Sequence, residues 1–223
     1  MQKIVDLPLS DIVYRRIRSA LISGTFSPGE KLVIDKVSAD LGVSQTPVRE
    51  AIKRLVAIAA LEYRPNHSVV VPTMSRETYS EIAEIRCRLE GLAAENAASK
   101  APRKAIETFV KLQEEMDAAR DAKEYRSVLD LNQAFHFQII KTAEMPVLLE
   151  IVETIWTRSG PLMALIEGRG VYAKSTPKHP HWRLIAAFKA GDPDAARDAI
   201  VEDIRGGAEI ILNMLEQREA DAK

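Results

Sequence analysis

Between Ser75 and the C-terminus the chain is cut into helix-length pieces by prolines and glycines, and this punctuation restricts its fold more than any other feature. Pro102, Pro146, Pro177 and Pro193 stand at or near the starts of apolar-periodic stretches. A proline there removes no intrahelical hydrogen bond, whereas inside a helix it removes one and clashes with the preceding turn. Gly168-Arg169-Gly170 and Gly191 mark further breaks, and Ser75 is a favourable N-cap. The pattern predicts helices over 75–99, 102–122, 124–143, 146–167, 176–190 and 193–217. Loops this short join antiparallel neighbours, so the segment reads as an all-α antiparallel bundle of about six helices.

The N-terminal third has a different texture. A helix is expected from the N-cap Ser10 to Ser23, with Ile12, Val13, Ile17, Ala20 and Leu21 as its apolar face and Gly24 as its stop. The run Phe26-Ser27-Pro28-Gly29-Glu30 is a turn. A short helix from about Ile34 to Leu41 closes at Gly42, and Ser44 caps a helix reaching about Ile58. The run Val69-Val70-Val71, preceded by the turn signal Pro65-Asn66, predicts two short strands joined near Asn66-His67-Ser68. The expectation is a mainly α protein of two domains: residues 1–73, a winged helix-turn-helix with a two-stranded wing, and residues 74–223, the helical bundle.

Composition narrows the function. Net charge is −1, but residues 1–74 carry a net of +3 and residues 75–223 a net of −4. That asymmetry leans the N-terminal part towards nucleic acid without establishing it. Cys87 is the only cysteine, so no internal disulfide can form. The first ten residues lack the apolar core of a signal peptide, and no run approaches a membrane span. A cytoplasmic location and no membrane partner are expected. Cys87, Trp156 and Trp182 read as packing residues.

The spacing between Ile34 and Ile58 is that of a helix-turn-helix. Val37 and Leu41 on the first helix, and Val48, Ile52 and Leu55 on the second, can face one core. The second helix then presents Ser44, Gln45, Thr46 and Arg49 at its N-terminal end. These types hydrogen-bond phosphates and base edges, and a recognition helix reads the major groove with that end.

The run Ser44-Gln45-Thr46-Pro47-Val48-Arg49-Glu50-Ala51 closely resembles the recognition-helix signature of the GntR family of bacterial transcription regulators. Pro28-Gly29-Glu30-Lys31-Leu32 and Leu41-Gly42-Val43 match its flanking pattern. The helices that follow are similar to the FCD branch, with Arg86, Leu89, Glu90, Phe135-His136 and Gly191-Asp192 on its landmarks. The resemblance covers nearly the whole chain. It implies a homodimer on double-stranded operator DNA, with contacts from Lys36, Ser44, Gln45, Thr46 and Arg49 and from the wing tip Asn66 and His67. Gln45 stands where arginine is usual, exchanging a guanine-reading type for an adenine-reading one. Ser68 replaces a glycine, and Ala59-Ala60 an acidic residue and a glycine. The plainer readings are a surface charge beside Glu50 for Arg49 and a solvated turn residue for His67.

In the bundle, Asn132 and His136 lie four apart and share a helix face. The FCD pattern implies a divalent-metal site at Asn132, His136, His181 and Asp203, with Asn132 in place of an aspartate and Asp203 in place of a histidine. Two imidazoles, a carboxylate and an amide oxygen suit Zn²⁺ first, with Ni²⁺, Mn²⁺ or Fe²⁺ as alternatives. The plainer reading is a buried polar cluster, or a site that binds ligand directly. Arg86 points along the inner face of a helix expected to bury Ile82, Ile85, Leu89, Leu92 and Ala93. The resemblance implies that it meets the carboxylate of a small effector, and the alternative is an internal salt bridge, for example to Glu90. The function expected is ligand-responsive transcription regulation. A metal-dependent enzyme built on the His/Asp set and a DNA-binding protein without effector are the alternatives.

Overall fold

The computed structural model describes residues 7–65, 68–165 and 179–221. The N-terminal elements are α1 (Leu9–Ile22), β1 (Lys31–Leu32), α2 (Ile34–Leu41), α3 (Gln45–Ala57), β2 (Glu62–Arg64) and β3 (Ser68–Val70). The later helices are α4 (Arg76–Ala98), α5 (Arg103–Asp121), α6 (Tyr125–Thr142), α7 (Pro146–Ser159), a 3-10 helix (Gly160–Leu165), α8 (Pro180–Ala190) and α9 (Pro193–Asp221). The chain divides into two compact units, Met1–Met74 with Trp156–Ala164, and Ser75–Ile155 with Leu165–Lys223.

In the first unit, α1 and α3 pack around Val13, Ile17, Leu21, Val48, Ile52 and Leu55. Val37 and Leu41 of α2 are partly buried against this core. Ile12 is 44% exposed and leaves the apolar face expected of α1. The helix starts at Leu9, so Ser10 lies inside its first turn rather than capping it. The wing has three strands where two were expected, in the order β1-β3-β2, all antiparallel. Lys31 pairs with Val70 and Leu32 with Val69, while β2 pairs Glu62, Tyr63 and Arg64 with Val70, Val69 and Ser68. A two-residue strand is too short to show alternation, which is why β1 has no sequence signature.

The expected helix over 146–167 ends at Ser159 and continues as the 3-10 helix. Gly160-Pro161 accounts for the change. Proline has no N–H to donate back along the helix, and it disfavours helical geometry in the residue before it. Gly160 also has a packing role within its own unit: a Cβ there would lie 2.5 Å from Ile22 Cα and from Leu21 O. Residues 176–178 of the expected eighth helix lie outside the described residues; His179 is the N-cap of α8.

In the second unit α4 packs chiefly against α9, α5 against α6, and α8 against α9. The core is aromatic below the site described next, with Phe109 5.3 Å from Phe135 and 5.0 Å from Phe188, ring centre to ring centre. The face that α4 buries differs from expectation. Tyr79, Ile82, Ala83, Arg86, Cys87, Glu90, Ala94 and Ala97 point inward, while Ile85 and Leu92 are 38% and 42% exposed. The inner face is made of small and polar side chains, so the larger apolar residues trace a second stripe, Ile85, Leu89 and Leu92, at spacings of one and two turns. Among the described residues no helix is long and apolar enough to cross a membrane.

Candidate DNA-reading end and buried His/Asp centre

Gly42 ends α2 in the left-handed region, at φ 65°, where a side chain would be strained, and so sets the turn into α3. Val48, Ala51, Ile52 and Leu55, each fully buried, fix which way α3 faces. Ser44, Gln45, Thr46 and Arg49 are thereby exposed at its N-terminal end, with Lys36 exposed on α2. Ser44 occupies the N-cap position but its side chain makes no capping bond. The first turn of α3 itself carries no acidic residue, which favours an anion at the positive end of the helix dipole. Gln45 Nε2 donates to Asp35 Oδ1 at 2.5 Å, and Arg49 Nη2 donates to Gln45 Oε1 at 2.9 Å. Asn66 and His67 lie outside the described residues.

The second site is buried in the bundle. His136 on α6, His181 at the start of α8 and Asp203 on α9 converge, with one potential ligand atom from each lying within 4.8 Å of the others. Both imidazoles are 1% exposed. His136 Nε2 lies 3.2 Å and His181 Nε2 3.3 Å from the same oxygen, Asp203 Oδ2. Asn132 is half-buried one turn before His136 on α6.

The far side of each ring is held separately. Glu90 Oε2 lies 2.6 Å from His136 Nδ1, and Glu90 Oε1 accepts from Arg86 Nε at 2.6 Å. Burial pushes the Glu90 carboxyl up, but Arg86 and His136 more than reverse this and hold it at about 2. Glu90 is therefore a carboxylate, and His136 donates to it from Nδ1. Gln113 does the same for His181, with Oε1 2.7 Å from Nδ1. The Gln113 amide is oriented by Asp117, whose Oδ1 accepts from Gln113 Nε2 at 2.7 Å. Asp117 Oδ1 also accepts from Arg120 at 2.6 Å, and its Oδ2 from Trp182 Nε1 at 3.1 Å. The ring of Phe135 stacks on His181 at 4.0 Å, nearly parallel, and fixes its plane.

With both Nδ1 atoms committed as donors, a neutral imidazole presents a bare Nε2 lone pair. Two such lone pairs would face the Asp203 carboxylate, which is repulsive unless protons or a cation stand between them. Electrostatics agree with that demand. Burial works against charge on both groups, yet His136 is raised by Glu90 and Asp203, and Asp203 is held well below the usual carboxylate range by His181 and His136. Among the described residues, His181 Nε2 is buried without a well-aligned hydrogen bond despite its closeness to Asp203. Nδ1 anchored to a carboxylate or amide oxygen, with Nε2 aimed at a shared point, is the arrangement that metal-binding histidines adopt.

The structure thus brings together His136, His181 and Asp203, and it pairs Arg86 with Glu90, the partner named as the alternative to an effector. It adds Gln113 and Asp117, which sequence reasoning missed. Their only signal is a spacing of four on α5, which looks the same as a solvated helix face.

A helix-turn-helix with an exposed polar recognition end and a three-stranded wing, followed by a helical bundle, is the fold of a DNA-binding transcription regulator. Residues 9–71 match the gntR family of bacterial regulatory proteins and residues 81–206 match the FCD domain. The chain belongs to the GntR family of transcription regulators, in its FCD branch. It is 29% identical over 201 residues to the HTH-type transcriptional regulator McbR of Escherichia coli, covering 90% of this chain and 91% of that one. It is 29% identical over 176 residues to a probable D-xylose utilization operon transcriptional repressor of Paenarthrobacter nicotinovorans, covering 76% and 74%. The solved structure of E. coli McbR/YncC superposes with a TM-score of 0.86 at 26% identity, over 94% of this chain and 99% of that one. A putative GntR regulator from Rhodococcus shares the fold, with a TM-score of 0.75 at 20% identity over 92% and 97%. These relatives are regulators, and the chain is a transcription regulator rather than an enzyme.

Proposed function

We propose that the protein is a cytoplasmic homodimer that binds a palindromic operator through residues 1–73 and senses a small carboxylate metabolite through residues 74–223. On the DNA side, Ser44, Gln45, Thr46 and Arg49 meet phosphates and base edges, Lys36 meets the backbone, and Asn66 and His67 add further DNA contacts. The exposure of the α3 end and the absence of an acidic residue from its first turn support this. A symmetric dimer mirrors a palindromic site. Exposed Ile85 and Leu92 with half-buried Leu89 on α4, and Val147 and Ile151 on α7 at 70% and 47% exposure, give apolar faces for the second copy.

The bundle holds one divalent cation on His136, His181 and Asp203, with Asn132 as a further oxygen ligand. Zn²⁺ suits this set best, and Ni²⁺, Mn²⁺ and Fe²⁺ also accept it. The observation that carries this reading is the pair of buried imidazoles with Nδ1 anchored and Nε2 converging on one carboxylate. When bound, the cation supplies a positive centre for an anionic effector. Arg86, already held against Glu90, is the second cationic group and meets the effector's carboxylate. Effector binding changes operator affinity only through unequal affinity for the two arrangements of the paired heads.

Elemental analysis of protein reconstituted with Zn²⁺ tests the site, followed by a thermal-shift screen of small carboxylates with and without chelator. One equivalent of metal in the wild type and none in His136→Ala supports it. Wild type that carries no metal, and binds a carboxylate equally well in excess chelator, contradicts it.

A further inference from the structure

On the DNA-reading surface, Asp35 of α2 sits opposite α3 and takes the amide N–H of Gln45, while the amide oxygen of Gln45 accepts from Arg49. We propose that Asp35 determines base specificity: it fixes the Gln45 amide as a brace for Arg49, so that the recognition helix reads guanine through Arg49 rather than adenine through Gln45. This rests on the reading above that these two α3 residues meet base edges.

The orientation of the amide is forced by its neighbours. A carboxylate offers acceptors and a guanidinium only donors. Gln45 sits between one of each, so Nε2 must face Asp35 and Oε1 must face Arg49. A glutamine reads adenine by presenting the same two atoms, N–H and oxygen, to N7 and N6. Each amide atom keeps one further site, but with both ends anchored the plane of the amide is set by Asp35 and Arg49, so Gln45 is not free to turn both atoms onto an adenine edge. Arg49 is differently placed. Among the described residues its only hydrogen bond or ion pair is the one from Nη2 to Gln45, so the rest of its fork is open to the O6 and N7 acceptors of guanine.

Asp35 has a second consequence. It is an exposed acidic residue on the helix that precedes the recognition helix, near the path of the phosphate backbone. Its charge opposes sequence-independent binding, which is electrostatic. Removing it should tighten binding to unrelated DNA and loosen base choice at once. A residue that merely stabilised the first turn of α2 would lower stability and leave base choice alone.

The test is selection from a random duplex library with the full-length protein, followed by anisotropy titrations of the recovered sequence and an unrelated duplex at one salt concentration. Wild type, Asp35→Ala, Asp35→Asn and Arg49→Ala are compared. The proposal expects Asp35→Ala to gain adenine at a position where the wild type shows no such preference. Its ratio of specific to non-specific affinity falls by about ten-fold. Asp35→Asn keeps an oxygen that can accept from Gln45, and returns the wild-type consensus. Should Asp35→Ala fail to fold, Asp35→Ser repeats the test, since its hydroxyl is too short to reach Gln45 and serine is favoured at helix starts. If Asp35→Ala returns the wild-type consensus and ratio while Arg49→Ala alters the consensus, the proposal is overturned and the Arg49 contact stands. If Arg49→Ala also returns the wild-type consensus, the underlying contact is wrong and the proposal falls with it.

Discussion

Replacing Gln113 with leucine removes a fully buried amide whose two ends hold His181 and Asp117, both at 2.7 Å. The loss is unequal at the two ends. Asp117 keeps Arg120 and Trp182 as donors, and its side chain is 27% exposed, so water can replace the missing bond. The Nδ1–H of His181, 1% exposed, is left buried without an acceptor. An orphaned buried donor costs about 1–3 kcal/mol, and the similar volume of leucine offsets part of it. A net loss of about 1–2 kcal/mol corresponds to a Tm lower by roughly 3–6 °C. The effect on metal should be larger than on the fold, because the ring is no longer held with Nε2 towards Asp203. Loss of an outer partner of this kind weakens metal affinity by about 10–100-fold. Calorimetric titration of Zn²⁺ into metal-free Gln113→Leu measures this, and the visible spectrum of the Co²⁺ form reports the ligand geometry. A folded variant with wild-type Tm and Zn²⁺ affinity within about two-fold of wild type would refute the argument.

Gly160→Ala should destabilise the first unit by about 1–3 kcal/mol, because the new Cβ meets backbone atoms that cannot rotate away; chemical denaturation checks this, and an unchanged midpoint counts against the packing described. Arg86→Ala leaves the buried Glu90 without its main cation and should cost about 3–5 kcal/mol, read as a fall in thermal stability, whereas Arg86→Lys keeps the charge and loses much less. If the proposed dimer forms through this face of α4, Ile85→Glu with Leu92→Glu should shift the protein to its 24.8 kDa monomer in light scattering, and an unaltered dimer would place the interface elsewhere. Arg49→Ala should weaken operator binding by about 1–3 kcal/mol if it reads a base, or lower the salt dependence if it holds phosphate; neither change removes it from the interface.

The start of α4, the ends of α2 and α8 and the recognition helix were legible in the sequence because single residues control them. Ser75 caps α4 as expected, its hydroxyl accepting from Thr78 N, and Gly42 and Gly191 end their helices in left-handed geometry. His136, His181 and Asp203 could be grouped because family spacing places them on three helices, and the structure does bring them together. What surrounds them could not be read. Gln113 and Asp117 look like a solvated pair on α5 until the fold turns them inward. Ile85 and Leu92 look like core until Arg86 and Glu90 take the inner face of α4. The break in the helix after Ser159 was carried by Gly160-Pro161, a local signal outweighed by the apolar periodicity around it.

The proposed function requires that effector binding at the buried centre alter the affinity of the DNA-reading helix for the operator. Its most direct test is anisotropy titration of the Zn²⁺-loaded protein onto the sequence recovered by selection, with and without a saturating carboxylate identified in the thermal-shift screen. Operator Kd should change by about 5–150-fold, and the change should be abolished in His136→Ala. An operator Kd that does not move at saturating carboxylate, or that moves equally in His136→Ala, would contradict it.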